Sequence, residues 1–164
     1  MEFQTGDDVV HCTHGLGRVI AIEERAFFDK ITFYYMVQMN DLTIWIPADG
    51  NLQRRLRPPN TEGSFRELLS ILSSPPEPLP DDRRQRSLQL SEMIEDGKAE
   101  SLCRAIRDLS ANRLSRSWSE SDNAVMRRAQ KALIGEWSFV FSITPLEAEK
   151  ELQRLLLHKK ERGK

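Results

Sequence analysis

The sequence predicts an α+β chain, a small β barrel or sandwich over residues 1–60 followed by an all-helical module over residues 61–164. Two observations predict it. The first sixty residues are rich in Val, Ile, Thr and aromatic residues, broken by turn signals about every ten residues. From Ser64 onward the apolar residues instead recur at helical spacing behind recognisable caps. The composition suits a folded protein: 39% of the 164 residues are hydrophobic and 30% are charged.

In the first half the β-rich runs are Val9-Val10, Gly17 to Ile22, Ile31 to Met39 and Leu42 to Ile46. Gly6-Asp7, Gly15, Asp29-Lys30, Asn40-Asp41 and Asp49-Gly50-Asn51 separate them as turns. Asn40-Asp41 lies between two such runs and predicts a tight hairpin. Strand alternation puts Leu42, Ile44 and Ile46 on one face, the expected core, and Thr43 and Trp45 on the other.

In the second half Ser64-Phe65-Arg66-Glu67 matches a capping box and predicts a short helix ending at Ser73-Ser74-Pro75-Pro76. Four prolines in Pro75 to Pro80 predict a stiff connector over residues 73–80. Asp81-Asp82 caps the next helix, whose apolar face holds Leu90, Met93 and Ile94 and which Gly97 should end. A third helix from about Lys98 carries Leu102, Ala105, Ile106 and Leu109. A fourth starts at Ser119 to Asp122, with a stripe of Val125, Ala129, Ala132, Leu133, Trp137, Val140 and Phe141. Thr144-Pro145-Leu146-Glu147 is a second capping box with proline at the first helical position. The last helix carries Leu146, Leu152, Leu155 and Leu156, and the basic tail from His158 is expected to fray.

Charge and motif content narrow the function. With 24 Lys+Arg against 25 Asp+Glu, the chain is not a globally basic nucleic-acid binder. Locally the balance differs. Residues 1–60 hold six Lys/Arg and eight Asp/Glu, a net of −2, whereas residues 83–131 hold eleven and seven, a net of +4. Arg83, Arg84, Arg86, Arg116, Arg127, Arg128 and Lys131 form a candidate patch for the phosphate backbone, since guanidinium pairs bidentately with phosphate. Arg83 to Arg86 also open a helix, where the dipole favours anions. No Gly-rich phosphate loop, Gly-x-Ser-x-Gly or His-Glu-x-x-His announces an enzyme, and no catalytic residue or cofactor is expected. His11, Cys12 and His14 cluster, but structural zinc needs four ligands and the second pair is missing, so no metal is expected. Apolar runs such as Ile31 to Val37 fall far short of a membrane span. The opening Met-Glu-Phe-Gln-Thr-Gly lacks a secretory pattern, and two cysteines point to a reducing cytoplasm.

Several stretches together carry a resemblance. They are Phe3-Gln-Thr-Gly6-Asp7-Asp-Val9-Val10-His-Cys-Thr-His14-Gly15-Leu-Gly17-Arg-Val19-Ile20-Ala-Ile22-Glu23, then Leu42-Thr-Ile44-Trp-Ile46-Pro47, Asp96-Gly97, Ala105-Ile106-Arg107-Asp108-Leu109 and Ala132-Leu133-Ile134-Gly135-Glu136. In order and spacing they resemble the CarD/CdnL family of bacterial RNA-polymerase-binding transcription regulators, over roughly residues 1–157. The resemblance implies a Tudor-like β barrel that binds the polymerase β subunit. It also implies a helical domain that contacts upstream promoter DNA and stabilises the open complex. Two arginines of the barrel touch β in the family. Arg25 falls on the first, and the second position is Trp45, so Arg25, Trp45, Thr43 and Ile44 are the expected polymerase-binding residues. The family's minor-groove tryptophan wedge falls on Arg83, with Leu79 the nearest apolar substitute. The resemblance further implies a cytoplasmic, nucleoid-associated protein, and a monomer is expected.

Overall fold

The computed structural model describes residues 2–113 and 117–162, the last five by backbone alone. Two compact units divide the chain, Met1–Pro59 and Asn60–Lys164. The first is a Tudor-like β unit and the second is helical.

The β unit contains β1 (Asp8–His11), β2 (Gly15–Phe27), β3 (Lys30–Gln38), β4 (Thr43–Pro47), α1 (Leu52–Arg55) and β5 (Leu56–Arg57). They form one antiparallel sheet in the order β4-β3-β2-β1-β5. Phe3, Val9, Val19, Tyr35, Val37, Ile46, Leu52 and Leu56 share one core, so every strand and α1 lend a side chain to it and the sheet wraps round on itself. Tyr35 is fully buried, and its hydroxyl accepts the Phe3 amide at 3.1 Å, tying the N-terminal segment to β3. Gly17 is required by sterics. A Cβ there would meet the Met39 Sδ at 2.5 Å and the Gln38 carbonyl oxygen at 2.9 Å.

The Asn40-Asp41 turn lies where the sequence puts it, with the Met39 amide donating to the Leu42 carbonyl at 2.8 Å. Leu42 itself is a correction. It precedes β4, and its side chain is exposed rather than in the core. β2 runs on through Glu23 to Phe27, well past the expected Ile22, and turns at Phe28-Asp29 instead of Asp29-Lys30. Charged residues did not stop this strand because its register with β3 continues to the Phe27–Lys30 pair. The short α1 and β5 carried no sequence signal.

The helical unit contains α2 (Glu62–Leu69), a 3-10 turn (Ser70–Ser73), α3 (Arg83–Ile94), α4 (Ala99–Asn112), α5 (Glu120–Phe141) and α6 (Pro145–Arg162). Its core joins Phe65 and Leu72 to Leu90, Ile94, Leu102, Ile106, Leu109, Leu133, Trp137 and Leu152. Asp82 caps α3 by accepting from the Gln85 amide. Ser119 and Asp122 make a capping box on α5, and Thr144 and Glu147 make one on α6. The α2 cap is Thr61, which accepts from the Ser64 amide, so the helix starts before the predicted Ser64 box. Leu146 is exposed, while Ala148 and Leu152 of α6 are buried. The tail expected to fray is helical through Arg162, and residues 163–164 lie outside the described residues.

The proline-rich segment is packed against its own unit. Leu79 lies in the helical core. Asp108 Oδ1 accepts the Glu77 amide at 3.0 Å and Arg107 Nε at 2.8 Å, and Arg107 Nη1 donates to Ser74 Oγ at 2.8 Å. Arg86 completes the attachment. Its Nε and Nη2 donate to the two Asp122 carboxylate oxygens at 2.9 Å each, and Nη1 donates to the Pro80 and Asp81 carbonyls. The pair is almost fully shielded, at 4% and 1% side-chain exposure. Burial alone would raise the Asp122 carboxyl pKa. Hydrogen bonds from Arg86 and Ser119 outweigh that and hold it below the usual carboxylate range.

Asp122→Ala should therefore cost about 3–5 kcal/mol, because it leaves a guanidinium buried without its counter-charge. A urea titration followed by far-ultraviolet circular dichroism checks this. Because the folded pKa of Asp122 is depressed, its stabilisation is complete above a pH of about 4 and is lost as pH falls below that. The acid sensitivity of the helical signal should be weaker in the variant.

Candidate functional site

Strand alternation and the β2–β3–β4 register place one set of side chains on the outer face of the sheet. Glu23 stands opposite Tyr34, Arg25 opposite Thr32, and Met36 opposite Trp45. Trp45 is 43% exposed. The Arg25 guanidinium lies 5.5 Å from the Trp45 ring centroid and 5.9 Å from that of Tyr34, within cation–π range of both. One oxygen, Glu23 Oε2, accepts from Trp45 Nε1 at 3.1 Å and from Arg25 Nη2 at 3.2 Å. The result is a solvent-facing patch in which a cation lies against two aromatic rings and a carboxylate fixes the indole. Such an arrangement is suited to anchoring a macromolecule. Glu23 and Tyr34 were not expected from the sequence. Period-two alternation joins Glu23 to Arg25, but Tyr34 enters only through a register set by the hairpin turn.

Thr43 shares the Trp45 face, and its hydroxyl donates to Gln38 Oε1 at 2.7 Å. Ile44 is a correction. It pairs with the fully buried Val37 and packs against the barrel core, so its side chain faces away from the patch. β4 lies at the sheet edge, and the Ile44 side chain is half-buried on its inner face.

In the helical unit Arg83 and Arg84 are exposed on the first turn of α3, and Arg127, Arg128 and Lys131 are exposed on α5. Arg127 makes a long 3.7 Å pair with Glu120. The Arg86–Asp122 bridge ties the first turn of α3 to the first turn of α5, so the basic groups of the two helices are held on one scaffold. Arg86 itself is a correction. The expected phosphate contact is consumed by a buried ion pair and two backbone carbonyls. Arg116 lies outside the described residues. Leu79 is buried and cannot serve as an exposed wedge. Trp118 donates to the Leu109 carbonyl at 3.0 Å and lies under Arg113 at 4.6 Å, packed against the helical core.

His11 is not poised as a metal ligand. Its Nδ1 accepts the Thr13 and His14 amides at 3.1 and 3.2 Å. Burial, with His14 and Arg55 nearby, lowers its pKa, which suits a neutral acceptor nitrogen. Among the described residues no group of three or more His, Cys, Asp or Glu is arranged to hold a metal ion. Burial and the nearby Glu136 push the Cys103 thiol up to about 12, so it is a core residue and not a nucleophile.

Comparison with known families decides the identity of both units. The family model for the CarD-like/TRCF RID domain matches residues 3–58, and that for the CarD C-terminal domain matches residues 67–153. The chain belongs to the CarD family. A relative from Bacillus subtilis (strain 168), "Putative transcription factor YdeB", is 26% identical over 144 residues, covering 87% of this chain and 94% of the relative. The CarD-like chain is thus a member of a transcription-regulator family, with the aromatic–arginine patch in its RID match and the exposed arginines of α3 and α5 in its C-terminal match. No helix among the described residues is long and apolar enough to cross a membrane.

Proposed function

We propose that this CarD-like protein is a non-enzymatic transcription regulator that docks on the RNA polymerase β subunit through the Arg25–Trp45–Tyr34 face and holds promoter DNA through its helical unit. The observation that carries the reading is the exposed patch itself, a guanidinium against two rings on the sheet of the RID match. A flat indole at the position of the family's second arginine replaces charge pairing with apolar and edge contacts. Glu23 keeps that indole oriented before any partner arrives. Docking through β would bring the helical unit to the duplex, where Arg83, Arg84, Arg127, Arg128 and Lys131 contact phosphates. The protein would act in the cytoplasm at the nucleoid, as a monomer.

A second reading concerns what happens at the DNA. Arg83 occupies the family's wedge position, and Leu79 is buried in the helical core. An arginine holds phosphate or enters a narrow minor groove, but it does not offset unstacking as an inserted apolar side chain does. These positions favour a polymerase-bound tether or antagonist that lacks duplex destabilisation. Permanganate footprinting separates the two. Promoter thymines should gain no reactivity when the protein is added, whereas enhanced reactivity would restore the open-complex role.

Arg25→Glu should abolish co-purification of the polymerase β lobe while helical content stays at the wild-type level. Unchanged pull-down would remove the sheet face from the account. Promoter affinity should fall with salt at a log–log slope of about −3 to −4, as expected for three or four phosphate contacts. Changing both Arg83 and Arg84 to alanine should flatten that slope by about 2, since each contact contributes roughly 0.9.

A further inference from the structure

Beyond Arg25, the β2–β3 ribbon ends in a cluster of apolar side chains that the fold does not use. Phe27 is 52% exposed, Ile31 60% and Phe28 102%. Ile31, opposite Ala26, lies on the sheet face away from Arg25. Phe27 lies on the same face as Glu23 and Arg25. Phe28 forms the tip.

The backbone at the tip is informative. Phe28 and Asp29 form a two-residue turn with φ of 48° and 63°, both left-handed. Hairpin turns with two positive φ values favour Asn and Gly, and a bulky side chain there is disfavoured. Asp29 suits this geometry, but Phe28 does not. Its ring is wholly in solvent, so no burial compensates for the conformation. A strained residue with no local reason points to a role outside the fold.

The docking face supplies the partner. Three residues of extended chain separate Phe28 from Arg25, about 10 Å. A stable interface takes roughly 800 Å² from each partner, a patch about 30 Å across. A macromolecule bound over Arg25 and Trp45 therefore also meets the tip.

We propose that Phe28 is an apolar anchor of the same interface, inserting into an apolar pocket on the polymerase surface that receives Arg25 and Trp45. This rests on the docking reading above. Arg25 and Trp45 fix orientation, and Phe28, next to Phe27 on the Arg25 face, supplies desolvated area at the edge of the contact. The partner surface beside the Arg25 site is accordingly an uncharged hollow rather than a carboxylate.

The test compares full-length Phe28→Gly, Phe28→Asn and Arg25→Glu for binding to purified RNA polymerase, alongside thermal unfolding. Glycine and asparagine both accept the left-handed turn. The two Phe28 variants should bind about tenfold or more weakly, with melting midpoints unchanged or raised. A purely structural Phe28 would lower the midpoint instead, and that result overturns the proposal. Wild-type affinity in both Phe28 variants, with binding still lost in Arg25→Glu, would place the tip outside the interface and also overturn it. Wild-type affinity in all three would overturn the docking reading itself.

Discussion

The helical unit depends on one buried ion pair. Arg86 and Asp122 are both stripped of water, and such a pair is favourable only when its remaining hydrogen-bonding capacity is filled. Here it is filled from the chain around it. Arg86 holds the Pro80 and Asp81 carbonyls, and Asp122 closes the α5 capping box by accepting the Ser119 amide. Three segments meet at this point: the end of the proline-rich stretch, the start of α3 and the start of α5. Arg107 and Asp108 repeat the device one step upstream, fixing Ser74 and Glu77. The exposed arginines of α3 and α5 are positioned by these buried ones.

The same residue type thus has two opposite uses in one chain. At Arg86 the guanidinium is an internal brace that donates to Asp122 and to two backbone carbonyls. At Arg83 and Arg84, on the same helical turn, the groups face solvent. In the β unit Arg25 takes a third position, held against Trp45 and Tyr34 by ring contacts and by Glu23, yet accessible. Charge counts cannot separate these cases, because they report the residue and not its neighbours.

The β unit shows how a binding surface arises from a sheet whose other face is a core. Val19, Tyr35, Val37 and Ile46 turn inward, and the alternate residues of the same strands form the aromatic–arginine face. β2 and β3 are longer than that core requires, so the hairpin carries its apolar end beyond the residues that bury it. The left-handed Phe28 is the clearest sign that this extension has a use of its own.

Much of the architecture was legible in the amino-acid order. Period-two runs with turn residues, then capped apolar stripes at helical spacing, determined a β unit followed by helices, because these patterns depend on nearest neighbours. The caps at Asp82, Ser119 and Thr144, the hairpin at Asn40-Asp41 and the family motifs were likewise local. Tertiary structure alone decided which arginine is buried, which side of β4 Ile44 faces and that Tyr34 joins Arg25. It also decided that Leu79 packs inward and that the β2–β3 turn falls one residue early, on a phenylalanine. Each of these depends on pairing between residues distant in sequence, Arg86 with Asp122 or Arg25 with Trp45, and no local pattern records which distant group will arrive.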